Sequence, residues 1–135
     1  MTQVGTQLPE LRIEATPTMV VSTAIATRDF QDVHHDRDLA IKKGSKDIFV
    51  NILTTTGLVQ RYVTDWAGPQ AIVRQIAIRL GVPCYAGDTL TFSGQVVQAG
   101  AGERSRECVV EVVGRCALGD HVAGTVRICL PGGTS

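Results

Sequence analysis

Aromatic residues are scarce in this chain: three Phe, two Tyr and one Trp among 135 residues. That leaves little surface for stacking bases. Net charge is also missing, because 13 Lys and Arg are balanced by 13 Asp and Glu. Without a basic field, binding driven by nucleic-acid phosphates or an anionic membrane is excluded. No apolar run approaches the ~20 residues of a membrane-spanning helix. The N-terminus lacks a basic segment leading into an apolar one, and Val20-Val21 comes too late and is too short for a signal peptide. The four cysteines, Cys84, Cys108, Cys116 and Cys129, show no C-x-x-C spacing and no histidine at ligand distance. They read as free thiols serving as small apolar residues in strands, with no metal site expected. The chain therefore reads as a cytoplasmic protein. Its length suits one domain over residues 1–135, small enough for association to help it.

What is present centres on residues 29–44. This stretch carries His34 and His35, with Asp29, Asp32, Asp36 and Asp38 around them, and it leads into the longest apolar segment. Residues 1–15 read as extended, Pro9 keeping them out of a helix. Thr16-Pro17 is a helix start, a capping hydroxyl before a proline, and predicts a weak helix over Thr18–Thr27. One or two turns over Asp36–Lys43 should stop at Gly44. A long helix is expected over Asp47–Trp66, capped by Ser45. Its buried stripe would be Ile48, Ile52, Thr55, Val59, Tyr62 and Trp66, and its polar edge Asn51, Thr54, Arg61 and Asp65. Thr54 to Gly57 is a small-residue patch that a backbone or a ligand could approach, which makes Gly57 a candidate substrate contact.

After Gly68-Pro69 the apolar period changes to two. Ile72, Ile76, Ile78 and Leu80, then Leu90, Phe92 and Val96, then Val110, Val112 and Cys116, then Val122, Val126 and Ile128 all carry even numbers. Four antiparallel strands with one shared face follow. Placing Val112 opposite Val126 and Val110 opposite Ile128 demands an odd loop, Leu118-Gly119-Asp120. His121 beside that turn should be exposed. Alternating strands wrapped on one long helix give an α+β fold in which sheet and helix bury each other.

Asp29 and His34 are the chemistry candidates. A histidine near its ordinary pKa exchanges protons at neutral pH, and a carboxylate beside it can act as base toward water. Five-residue Asp–His spacing is common in loops, so the residues alone also allow Asp29 to cap a turn and His34 to be a satisfied loop residue. Asp36 and Asp38 read as a solvated face.

Asp29-Phe30-Gln31-Asp32-Val33-His34, followed by Ala40, resembles the hydratase-2 signature of MaoC-like enoyl-CoA hydratases. Val4-Gly5 with Leu8-Pro9 resembles that family's opening strand, and Val82-Pro83-Cys84-Tyr85-Ala86-Gly87-Asp88-Thr89-Leu90 resembles its segment around Gly-Asp-Thr-Leu. The resemblance covers nearly the whole chain. It implies a hotdog fold, Asp29 and His34 as catalytic residues, and a backbone N–H near Asn51 that holds the thioester oxygen. It also implies a CoA thioester as substrate and no cofactor. Gln31-Asp32 departs from the family's Asn-Pro, and Asn51-Ile52 departs from its His-Gly. The stretches 27–38 and 44–53 are similar to the small subunits of actinobacterial heteromeric steroid enoyl-CoA hydratases. That similarity implies a heterotetramer with a larger MaoC-like subunit, which carries a zinc-ribbon/OB-type domain and through it engages a thiolase-like aldolase. Three further readings stay open: a dehydratase subunit for carrier-protein thioesters with Lys42 and Lys43 at its mouth, a hotdog thioesterase using Asp47 or Asp65, and a structural subunit without catalysis.

Overall fold

In the computed structural model, residues 2–132 are described. Met1 and the tail beyond Gly132, expected to be irregular, lie outside the described residues. Strand β1 spans Gln7–Ala15 and helix α1 Pro17–Ala26, followed by a single 3₁₀ turn over Asp32–His34. Helix α2 spans Arg37–Lys42 and helix α3 Ile52–Ala67. Strands β2 (Ile72–Leu80), β3 (Asp88–Ala99), β4 (Glu107–Cys116) and β5 (Gly119–Cys129) complete one antiparallel sheet in the order β1-β3-β4-β5-β2. The expected opening strand is thus a full member of the sheet, on its edge. Pro9 fits there because the β1–β3 register shifts between Leu8 and Leu11, so its missing N–H disrupts only a bulge.

The buried even-numbered face was legible. Leu90, Phe92, Val96, Val110, Val112, Val122, Val126 and Ile128 are all within 1 % of full burial. Val59, Tyr62 and Val63 of α3 pack on them, with the Tyr62 ring stacked on Phe92 at 5.7 Å. Gly94 makes that approach possible: a Cβ there would stand 3.0 Å from the Tyr62 ring and 2.9 Å from the Glu111 carbonyl. The departures are β2, whose Ile72 and Leu80 lie exposed on the free edge, and Cys116 at the end of β4, which is half-buried.

Three expectations need correction. First, α3 begins at Ile52, not Asp47, and runs ~24 Å at the usual rise. Ile48 to Val50 are extended instead, tied to the loop before β3 by Val50 N–H to Cys84 O and Ala86 N–H to Ile48 O, both 3.0 Å. Ser45 bonds the Asp47 carbonyl, and the cap is Asn51. The helical stripe consequently rotates: Ile52 and Leu53 face outward, while Asn51 and Thr54 are buried.

Second, the β4–β5 turn is Ala117-Leu118, with Cys116 opposite Gly119, so Val110 faces Val126 and Val112 faces Gly124. The odd residue that the patterning required is supplied inside β5. Between the pairs Gly114–Val122 and Arg115–Asp120, His121 has no opposite number. It is a bulge, and a bulge turns two successive side chains toward one face.

Third, and for that reason, His121 is buried rather than exposed. Its Nδ1–H donates to the Val82 carbonyl at 2.7 Å, and Nε2 accepts from the Thr55 hydroxyl at 2.8 Å. Burial pushes its pKa down, outweighing the Val82 bond, which acts in the opposite direction. Below about pH 6.5 the unfolded chain takes a proton here that the folded chain resists. Stability is therefore complete above that pH and declines as pH falls through it, until the folded form also protonates. Gln at 121 can keep both hydrogen bonds without titrating. The loss of melting temperature between pH 7.5 and 5.5 should be smaller in His121→Gln than in the parent, as read by thermal denaturation.

Candidate active site

Helix α1 delivers the first candidate residue, Asp29. Thr16 caps it through Met19 N–H, one residue from the expected start. Its end is a paired C-terminal motif: Arg28 N–H bonds Ile25 O at 2.9 Å and Asp29 N–H bonds Ala24 O at 2.8 Å. That motif requires a left-handed residue, and Arg28 adopts it with φ 58, the one described non-glycine residue at positive φ. Asp29 thus leaves the helix in a fixed direction.

The second residue arrives on the 3₁₀ turn. Where the family signature has proline, Asp32 starts the turn and is held by Lys43, 2.7 Å away, which keeps its carboxyl below the usual range. Lys43 is therefore engaged inside this segment. Asp36 is not a bare solvated residue, because it caps α2 through Leu39 N–H, and α2 stops at Gly44 as expected, with φ 95. Ala40 of α2 is fully buried under this loop.

His34 is buried, and its Nδ1–H donates to the Phe49 carbonyl at 2.8 Å. This fixes the tautomer and aims Nε2 at Asp29, 3.6 Å from Oδ2. The Phe49 ring stands edge-on to the imidazole at 4.8 Å. His35 turns away to the Gln31 carbonyl.

Asn51 is the hub that sequence reading missed in this role. Its Nδ2 donates to Asp29 Oδ2 at 3.1 Å and to the Thr27 hydroxyl at 2.9 Å. Its Oδ1 caps α3 through Thr54 N–H and also accepts from the Thr54 hydroxyl. Thr27 in turn donates to the Thr23 carbonyl in α1. One buried amide therefore joins α1, α3 and the Asp29 carboxylate, while Gln31 N–H approaches the other carboxylate oxygen at 3.4 Å. An asparagine directly before a helical pattern is a cap signal, and it was the available clue. The N–H groups of Asn51, Ile52 and Leu53 find no protein acceptor among the described residues. The positive end of a helix favours an anion.

Gly57 lies one turn further along α3, exposed, with open space where a Cβ would stand. Within the small-residue patch, Thr54 and Thr55 are spent on the Asn51 and His121 bonds. Asp47 pairs with Arg37 and Asp65 with Arg61. Bare apolar side chains neighbour the site residues in the chain and form its apolar rim in sequence: Phe30, next to Asp29, is 65 % exposed, Leu53, in the first turn of α3, 53 %, and Ile25, in the last turn of α1, 49 %. An open groove along α1, lined by Pro17, Val21, Ile25 and Ala26, continues that rim.

A single antiparallel sheet around one helix, with an Asp–His pair at the helix start, defines a MaoC-like hotdog protein. The MaoC-like domain family matches residues 2–115, and the chain belongs to it. Over 130 residues, 96 % of this chain and 98 % of the relative, it is 63 % identical to the 3-oxo-4,17-pregnadiene-20-carboxyl-CoA hydratase beta subunit of Mycobacterium tuberculosis. Among solved structures it is similar to a chain of the ChsH1–ChsH2 complex from the same organism, with 62 % identity and a TM-score of 0.92 over 97 % of this chain and all of that one. The (R)-hydratase from A. caviae involved in PHA biosynthesis shares the fold, at 19 % identity and a TM-score of 0.85 over 96 % of this chain and 97 % of that one. No described helix is long and apolar enough to cross a membrane.

Proposed function

We infer that this chain is the catalytic subunit of a heteromeric hydratase, which adds water across the 2,3 double bond of a bulky steroid side-chain 2-enoyl-CoA. The observation that carries the reading is the 63 % identity, across nearly the full length of both chains, with a subunit named for that chemistry. The held Asp29–His34 pair supports it from inside this molecule.

A water between Asp29 Oδ2 and His34 Nε2 gives a proton to the pair as its oxygen bonds to C3. The π electrons move toward the thioester, and the N–H groups at the start of α3 stabilise the enolate oxygen, an effect worth about 3 kcal/mol in comparable sites. The pair then returns a proton to C2. Since Nδ1–H is committed to Phe49, any proton His34 delivers leaves from Nε2, the nitrogen beside Asp29. The CoA thioester is the substrate and the addition calls for no cofactor. Gly57, on the open face of α3, would leave room for the acyl body.

The bare apolar rim supports a partner that covers it. By the resemblance already described, this is a larger MaoC-like subunit with a zinc-ribbon/OB-type domain, in a cytoplasmic heterotetramer that reaches a thiolase-like aldolase. The test is hydration by the co-purified pair, followed as loss of enoyl absorbance, on three substrates: a steroid side-chain 2-enoyl-CoA, a straight-chain enoyl-CoA and a carrier-protein thioester. The steroid thioester should lead in kcat/KM by roughly tenfold or more. Preference for either of the others would overturn the substrate assignment.

A further inference from the structure

The water-addition chemistry leaves one cluster unused. The Sγ atoms of Cys84 and Cys116 and a carboxylate oxygen of Asp88 lie within 4.8 Å of one another. Three such donors suggest a cation, but Asp88 is already engaged. One of its oxygens accepts from Thr89 N–H at 2.7 Å and the other from Ala117 N–H at 3.1 Å. Two thiols remain, too few for a structural metal cage and near enough for a bond with each other once the backbone adjusts.

Their positions differ in access. Cys84 is fully buried, and burial, with Cys116 and Asp88 adding to it, pushes its thiol up to about 12. Cys116, the last residue of β4, is only half-buried, and its thiol points to the Pro83 carbonyl at 3.6 Å. An oxidant arriving from solvent meets Cys116 first.

Their location matters more. Cys84 O accepts from Val50 N–H, Ala86 N–H donates to Ile48 O, and Phe49 bridges Tyr85. The loop holding Cys84 is therefore the backing strand of the segment whose Phe49 carbonyl orients His34 and whose Asn51 holds Asp29.

We propose that Cys84 and Cys116 form a peroxide-oxidisable dithiol, and that its closure to a disulfide is transmitted through the Ile48–Asn51 segment to the acid/base pair. The Cys116 sulfur attacks hydrogen peroxide and becomes a sulfenic acid, releasing one water. The Cys84 sulfur then displaces the hydroxyl as a second water, its own proton leaving with that water. Two thiols are oxidised and one peroxide is reduced to two waters. The sulfurs must close to about 2.05 Å, so the Cys84 loop or the end of β4 has to move.

The experiment uses the assembled complex treated with hydrogen peroxide. The expected result is a mass lower by two hydrogens on this chain, a Cys84–Cys116 linked peptide under non-reducing digestion, and reversal by dithiothreitol. Amide exchange at Val50 and Ala86 should rise by roughly fivefold or more in the oxidised form. Cys116→Ser, a mild change at a half-buried position, should abolish both effects, and Cys116→Ala serves the same purpose if the serine variant folds poorly. Oxidation of Cys116 to higher acids without a link would overturn the proposal, as would a link that leaves exchange at Val50 and Ala86 unchanged. Mass and exchange do not depend on the hydratase reading. Enoyl-CoA hydration before treatment reports on that reading separately, and its reversible loss on oxidation would be the consequence at the site.

Discussion

Asp29→Asn should lower the turnover of enoyl thioester by the assembled hydratase by about 10²–10⁴-fold, the range for losing a general base, while leaving the fold intact. The amide is nearly isosteric with the carboxylate, and its one oxygen can still accept from Asn51 Nδ2, at the cost of the long 3.4 Å bond from Gln31 N–H to the other oxygen. What it cannot do is take a proton from water. Steady-state rates beside thermal denaturation of parent and variant make the comparison. Unchanged turnover would move the chemistry to the partner subunit and leave this chain a scaffold. A fall in both turnover and melting temperature would instead mark Asp29 as a capping residue.

Asn51 gives the second large effect, and two substitutions separate its duties. Asn51→Ala removes the α3 cap, the bond to Thr27 and the bond to Asp29 together. Losing the cap alone costs about 1–2 kcal/mol, so stability and turnover should both fall. Asn51→Asp retains an oxygen for Thr54 but sets a second carboxylate where a donor stood, 3.1 Å from Asp29 Oδ2. Like charges so close favour the protonated form of one of them. The acid limb of the pH–rate profile should therefore move to higher pH, with turnover at neutral pH reduced by roughly tenfold or more. A profile that keeps its shape in Asn51→Asp would show that the amide does not act on Asp29.

The sequence yielded the parts whose cause is local. The Thr16-Pro17 start of α1 and the Gly44 stop of α2 depend on residues within a turn of one another, and both are where the spacing puts them. The even-numbered face of β3, β4 and β5 needs only alternation. The start of α3 was misread because Ile48 and Phe49 continue the apolar count. An extended run leading into a helix gives the same count as one more helical turn, and only the Asn51 cap separates them. His121 was misread because a bulge is set by what lies across the sheet, here the Gly114–Arg115 step of β4. The motif singled out Asp29 and His34, which the fold brings to 3.6 Å of each other, whereas the bonds of Asn51 were not legible. Its partners Thr27 and Asp29 stand 24 and 22 positions away, and only the fold brings them together.

The backbone from Phe49 to Asn51 limits where this chain could gain or lose a residue. Asp29 and His34 belong to one short loop, yet neither is positioned by the other. Each is gripped from across by one of two groups that stand two residues apart on the same extended segment, the Phe49 carbonyl for His34 and the Asn51 amide for Asp29. That segment is a ruler: its repeat of ~6.6 Å per two residues spaces the two groups that hold Asp29 and His34. Insertions near Gly44–Ser45 lengthen a surface turn and leave the gauge untouched. One residue gained or lost between Phe49 and Asn51 would change the calibration itself, however well the Asp–His motif were kept.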